Sequence, residues 1–458
     1  MVDAVADPQT VPVRPGEGRG ILLVTTTFPP NRQAGTHRLL RFARHLDSLG
    51  WRVSVLTMAP ESYRPGVPVD EKLCSEIPSG VHVVRTRVPG RRQAATEAPR
   101  LPQLDGPPPP RKAENVLKRT LRRVWRDVTS TPDPELAWAL TAVRAGMDMV
   151  RDGRVDVILS SAPPFTCHVI ALEIARRSRR PWVADFRDPW SRAPWALEFR
   201  NQGWTGVVHR RLERLTINRA SRVVLNTKPM QEDFAAHYPA ETAARFLTIP
   251  NGFDEEALER TLQPVARTAS PDTVVICHTG SLYQARDPRP LFRALAAIRT
   301  SGDVPHDAFR LQLVGGAGGE FDAPGEVRRL GLDGMVEFVP PVSHGQSLGY
   351  LRAADVLLVV QPDTRVQVPV KLYEYLWARK PILALASDGA VADLIRDGGV
   401  GHVVAADDEM AIAAALRALY ARRATLSRDF VAPAQFLLDL EGRSLVRRLH
   451  DVLVDVTT

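Results

Sequence analysis

Short, almost wholly apolar runs alternate along this chain with stretches of helical periodicity, and that alternation limits the fold more than any other feature. The first run covers residues 20–25, GILLVT. After a loop over 26–36, Leu39, Leu40, Phe42, Ala43, Leu46 and Leu49 recur at helical spacing, and Gly50 closes that helix before the next run at 53–56. A strand apolar at every position is buried on both faces, as in a parallel sheet covered by helices, so these residues make one βαβ unit. The pattern resumes with a run at 155–159, a helix over about 164–177, and runs at 182–185, 222–225 and 246–250. Up to residue 250 the chain reads as one doubly wound unit. A second series follows, with runs at 274–279, 309–314, 336–339, 356–360, 381–385 and 401–404 and a helix over about 288–300, and it predicts a second parallel sheet.

The length agrees, because 458 residues exceed one compact core and suit two domains, and ligands favour the junction of two domains. Residues 1–18 lack periodicity and read as a flexible tail ahead of a first domain over 19–250. Within it, residues 88–112 are rich in Pro and Arg without apolar period and predict a mobile insertion. The second domain spans 251–431, and 432–458 is a helical segment that can cap either domain or cross back to the first.

Charge and cysteine content narrow the function classes. Lys and Arg number 60 against 52 Asp and Glu, a formal net charge of +8, which favours phosphate-bearing ligands or an anionic surface. Nucleic acid is not a predicted partner, since no finger or base-stacking motif is present. A basic amphipathic helix over 113–126 carries Val116, Leu117, Leu121, Val124 and Trp125 on one stripe. It either packs on its own domain or makes a peripheral contact with anionic lipid. The odd, scattered cysteines Cys74, Cys167 and Cys277 fit a reducing compartment and read as small buried apolar residues. No run approaches the length of a membrane span and the N-terminus is unlike a secretory signal, so a cytoplasmic location is expected, with peripheral contact on the inner membrane face left open.

The most informative motif is QVPVKLYEYLWARKP at 367–381, just before a buried run. Pro369 sits where a helix can start, which places Lys371 and Glu374 in its first turns, three apart on one face. Amides exposed at that helix end attract a diphosphate, Lys371 adds a point charge, and the Glu374 carboxylate can accept the hydroxyls of a ribose. Alone, the pair reads first as an ordinary surface Lys–Glu pair. In the first domain, the loop FPPNRQAGTHR at 28–38 opens a helix with Gly35, where backbone can approach a phosphate or simply make a βα turn. DFRDPW at 185–190 ends a buried run at the edge where open α/β sheets present ligands, and its charges read either as a site or as a structural Arg–Asp pair. The glycines of VGGAGG at 314–319 lack dinucleotide-fingerprint spacing and read as a flexible loop.

Taken in order with PNGFD at 250–254 and HTGSLY at 278–283, these pieces resemble the retaining glycosyltransferases of family 4 from about Gly20 onward. The resemblance implies the GT-B fold, an α/β architecture of two doubly wound Rossmann-like domains facing across a cleft. The first would take the acceptor and the second the nucleotide sugar. It further implies a donor-binding set of Gly35, Gly280, Ser281, Arg286, Lys371, Leu372 and Glu374, and an acceptor side where Asp188 and Arg187 position the hydroxyl. Arg286 and Lys371 would stabilise the departing diphosphate, and Glu374 would be the second carboxylate of the family's Glu-x7-Glu motif. Val366 stands where the first carboxylate belongs, so Gln367 or Asp363 would have to replace it. No Asp-x-Asp occurs, and a reaction without metal or cofactor is expected, the nucleoside diphosphate sugar being a co-substrate. The acceptor classes implied are a saccharide, a lipid-linked saccharide or a natural product. The rival readings are a sugar-nucleotide epimerase of the same fold and a nucleotide-sugar-binding subunit without catalysis.

Overall fold

The computed structural model describes residues 18–91, 130–193, 203–280, 282, 286–316, 322–362 and 365–458. The expected tail, nearly all of the expected insertion, the basic helix over 113–126, Ser281 and Asp363 lie outside the described residues. The chain divides into two compact units, one of residues 1–224, 244–247 and 446–458, the other of 225–243 and 248–445.

In the first unit seven strands, β1 (Gly20–Val24), β2 (Arg52–Met58), β3 (His82–Thr86), β4 (Val157–Ala162), β5 (Trp182–Phe186), β6 (Arg222–Leu225) and β7 (Phe246–Thr248), lie in the order β3-β2-β1-β4-β5-β6-β7. The pairings of β1 with β2 and β4, of β2 with β3, and of β4 with β5 are parallel. Strands β1, β4 and β5 are buried at every residue, which is why they read so plainly as apolar runs. Strand β3 was not among the expected strands. It is an edge strand, HVVRT, exposed or half-buried throughout, so it lacks the signal that marks the others.

In the second unit six strands, β8 (Val274–Thr279), β9 (Phe309–Val314), β10 (Val336–Val339), β11 (Val356–Gln361), β12 (Ile382–Ala386) and β13 (Gly401–Val404), run in the order β10-β9-β8-β11-β12-β13, all parallel. Alternate residues of β8 and β11 feed two apolar clusters, Val274, Ile276 and Leu358 into one and Val275, Cys277 and Leu357 into the other. The strand order reverses between β8 and β11, and a crevice at the carboxyl ends of strands forms at such a point.

Two expectations are corrected. The segment over 432–458 is not one helix: the helices Ala434–Leu440 and Gly442–Asp455 are separated by Glu441, whose backbone is extended. Only the second helix reaches the first unit, where His450 accepts a hydrogen bond from the Trp51 indole at 2.9 Å. Cys167 and Cys277 are buried as expected, whereas Cys74 is only half-buried, with its thiol beside the Glu71 carboxylate.

Candidate active site

The register between β8 and β11 runs from Val356 opposite Ile276 to Leu357 opposite Cys277. One residue further, the carbonyl of Leu358 is taken by side chains instead: it accepts from Tyr375 Oη at 3.2 Å and lies 2.9 Å from His278 Nδ1. Tyr375 Oη in turn accepts the Thr279 amide at 3.0 Å. The tyrosine thereby bridges both strand ends, and burial raises its phenol well above the ordinary range. His278 is 5% exposed, and burial, reinforced by the nearby charges of Lys371 and Arg286, holds its imidazole down at about 4, so the ring is neutral at physiological pH.

Into this opening comes the helix Val370–Ala378. Pro369 is its N-cap rather than its first helical residue, and its extended backbone aims the first turn. Leu372, Tyr373, Tyr375, Leu376, Trp377 and Ala378 are buried in the apolar core, which leaves Lys371 and Glu374 as the helix's charged residues. Leu372 is wholly buried and gives its amide to the Pro369 carbonyl at 2.9 Å, so its place in the site is structural support from below.

Lys371 reaches back to β8, where its ammonium donates to the carbonyl of Thr279. It can do so because the next residue is Gly280, at φ +104°, where a Cβ would fall on Lys371 Nζ. The conformation and the close approach both require glycine. Gly315, at φ +116°, abuts Gly280 from the end of β9, where a Cβ would lie 2.9 Å from the Gly280 Cα. Burial lowers Lys371 to about 8; Glu374 pulls it up and Arg286 pushes it down. The influence of Arg286 on both Lys371 and His278 places two cations in one field, and Arg286 Nε donates to the Gln361 amide oxygen at 3.1 Å at the end of β11. The structure therefore gathers Gly280, Arg286, Lys371 and Glu374 at one strand-end crevice.

Glu374 has a partner that the sequence did not announce: its Oε1 lies 2.9 Å from Nε2 of His344. Thirty positions separate the two residues, so no local spacing could have joined them. His278, Tyr375 and Gln361 were likewise not expected in the site.

Gly35, Arg187 and Asp188 belong to the first unit. A Cβ on Gly35 would fall on the Arg187 guanidinium, so this glycine makes room for an arginine. Arg187 is 8% exposed, donates to the Pro163 carbonyl, and is lowered by burial against the opposing influence of Asp188 and Asp185. Asp185, fully buried, is held by Arg38 through two hydrogen bonds of 2.7 and 3.1 Å and by the Ser161 hydroxyl at 2.6 Å. Of the charges in the 185–190 motif, Asp185 thus forms a structural ion pair, while Asp188 is half-buried next to Arg187. Trp190 stacks on Phe165 with ring centroids 4.5 Å apart.

Comparison with known proteins agrees with this architecture. A family model described as "Glycosyl transferase 4-like domain" matches residues 34–252, and one described as "Glycosyl transferases group 1" matches 273–422. A D-inositol 3-phosphate glycosyltransferase of Geodermatophilus obscurus is 29% identical over 223 residues, 47% of this chain and 49% of that protein. One from Streptomyces avermitilis is 29% identical over 211 residues, 43% and 44% of the two chains. The chain spans about half the length of the curated relatives it matches. Among solved structures, Anabaena HepE in complex with UDP superposes with a TM-score of 0.61 at 17% identity, over 95% of this chain and 100% of that one. Sucrose-phosphate synthase from Thermosynechococcus elongatus gives 0.59 at 15% identity, over 95% and 96%. At such identity the likeness concerns the fold alone, and that fold is GT-B.

Proposed function

This chain belongs to the glycosyltransferases of family 4, and from that premise we propose that it moves a sugar from a nucleoside diphosphate sugar to an acceptor hydroxyl. The observation that carries the proposal is the meeting of Lys371 with Gly280 at the opening between β8 and β11. A partly buried ammonium, a second cation at Arg286 and the first amides of the helix Val370–Ala378 form a site for a doubly charged diphosphate. In the reaction the bond between the anomeric carbon and the diphosphate oxygen breaks, the electron pair leaves with the diphosphate, and these groups stabilise the charge that develops. The acceptor oxygen bonds to the anomeric carbon from the same face and its proton passes to the leaving diphosphate, so configuration is retained without a metal. Glu374 receives the ribose hydroxyls, and Arg187 with Asp188 orients the acceptor. The protein works in the cytoplasm, and contact with anionic lipid through residues 113–126 belongs to the same reading.

The relatives and structural neighbours suggest where to begin the assay: UDP-glucose as donor and a phosphorylated cyclitol as acceptor, followed by panels of each. The expected result is acceptor-dependent release of nucleoside diphosphate that survives chelator, with the product anomer matching the donor by NMR. Lys371→Ala or Glu374→Ala should lower turnover by about 100-fold or more with the melting temperature little changed. Full turnover by Glu374→Ala would remove the donor site from this helix. Acceptor-independent conversion to an epimeric nucleotide sugar would point to an epimerase, and binding without turnover to a non-catalytic subunit. The missing first carboxylate at Val366 is the feature that favours that last alternative.

A further inference from the structure

Glu374 receives a ribose only if its carboxylate is held in one orientation, and a glutamate on the surface of a helix has three rotatable bonds with which to lose it. In this protein the carboxylate is not left to itself. His344 Nε2 lies 2.9 Å from Glu374 Oε1, the Glu374 side chain is 17% exposed and that of His344 31%, so the contact is largely shielded from water while one side stays open. The imidazole arrives on a rigid support. His344 opens the helix His344–Ala353, whose first turn is fixed by a capping box in which Ser343 Oγ accepts the Gln346 amide and the Gln346 side chain accepts the Ser343 amide. The contact therefore joins the leading turns of two helices, and both rest on the same apolar cluster through Leu348 and Leu372.

A carboxylate has about four acceptor positions, so one bond from His344 to Oε1 leaves Oε2 entire and a second lone pair on Oε1. That is enough for the two adjacent hydroxyls of a ribose. Resting on the nucleotide-site reading above, we propose that His344 is a positioning residue for the nucleotide: it pins Glu374 Oε1 so that the remaining acceptors face the ribose diol, and the preference for a ribonucleotide depends on it. The role needs an N–H at the Nε2 position, which the neutral tautomer protonated there and the imidazolium both provide.

The test measures binding by calorimetry of UDP, GDP and ADP, each beside its 2′,3′-dideoxy analogue, to the full chain and to three variants. The wild type is expected to favour the ribo form of the nucleotide it binds by about 100-fold, for two hydrogen bonds to a charged group. His344→Ala should lose about 10-fold of the affinity for the ribo form and none for the dideoxy form. His344→Gln, which can present an amide N–H near the same point, should restore most of the loss. Glu374→Ala should erase the ribo preference, and adding His344→Ala to it should change nothing more, as for two residues that act as a unit. If His344→Ala keeps the full ribo preference while Glu374→Ala loses it, the inference is wrong and the nucleotide site stands. If His344→Ala weakens both forms equally, or His344→Gln fails to rescue it in a protein that melts normally, the imidazole is structural and the inference is again overturned. Retention of ribo preference by Glu374→Ala, or no binding of any nucleotide by the wild type, would overturn the nucleotide-site reading and this inference with it.

Discussion

The carboxyl end of β5 in the first unit and that of β8 in the second are built from similar materials and put to opposite uses. Both close a fully buried strand of a parallel sheet, and both bring a long cation against a glycine whose missing Cβ makes room for it: Arg187 at Gly35, Lys371 at Gly280. At β5, however, the carboxylate of Asp185 lies inside the fold and is met there by Arg38 and Ser161. At β8 the strand ends in backbone and cations, and the carboxylate in their neighbourhood, Glu374, is oriented by His344. A buried charge that is paired serves the fold; a half-buried cation whose charge is held down by desolvation gains when an anion arrives. The same strand-end geometry thus supports a structural ion pair in one unit and, on the function proposed above, an anion site in the other.

The largest effect should come from breaking the first of these. Removing Arg38 takes from the buried Asp185 its hydrogen-bonded ion-pair partner, and Arg38→Ala should cost about 3–5 kcal/mol of stability by denaturant unfolding. The double variant Arg38→Met with Asp185→Leu should recover most of that, because the burial cost of both charges disappears together. Nucleotide affinity should be unaffected throughout. Arg38→Ala melting like the wild type but losing turnover would erase the contrast, since the Arg38–Asp185 pair would then serve the ligand.

Next comes the anion site. Lys371→Ala should weaken nucleoside diphosphate binding by about 100-fold, or ~2.7 kcal/mol, with little change in melting. Lys371→Arg should not restore it, because a guanidinium cannot occupy the space that Gly280 leaves for an ammonium. Gly280→Ala should reproduce the loss by expelling the lysine, with about 1–2 kcal/mol of stability lost in addition for the positive φ. Calorimetry and thermal melts on the same samples separate the two contributions.

How much of this was legible beforehand depends on where each residue gets its partner. Strands β8 and β9 match the apolar runs end to end, because their burial is written in consecutive residues. Strand β3 was invisible because an edge strand shields little apolar surface, and the break at Glu441 was hidden inside continuous apolar periodicity. In the site, Lys371 and Glu374 could be read because they share one helix face. His344 could not, because it meets Glu374 only through the packing of two helices, and Asp185 was indistinguishable from Asp188 until Arg38 was seen beside it. Chemistry carried by local spacing shows in a sequence; chemistry assembled by tertiary contact does not.

The smallest expected effect tests the comparison most sharply, because it has opposite signs with and without ligand. Burial holds Lys371 down at about 8 against an ordinary 10.5, so between those values the unfolded chain binds the proton more tightly than the folded one. Its contribution to stability therefore rises with pH across that window. Binding runs the other way. A diphosphate beside the ammonium favours the charged form and raises its pKa, so affinity is greatest below about 8 and falls as pH climbs through it. Between pH 7 and 9 the loss should approach about 10-fold for a nucleotide sugar, whose diphosphate diester has no proton of its own to lose in that range. In Lys371→Ala the profile should be flat. A wild-type affinity that stays constant to pH 9 would mean that the lysine is not the anion's partner, and the likeness drawn between Gly280 and Gly35 would then be one of packing alone.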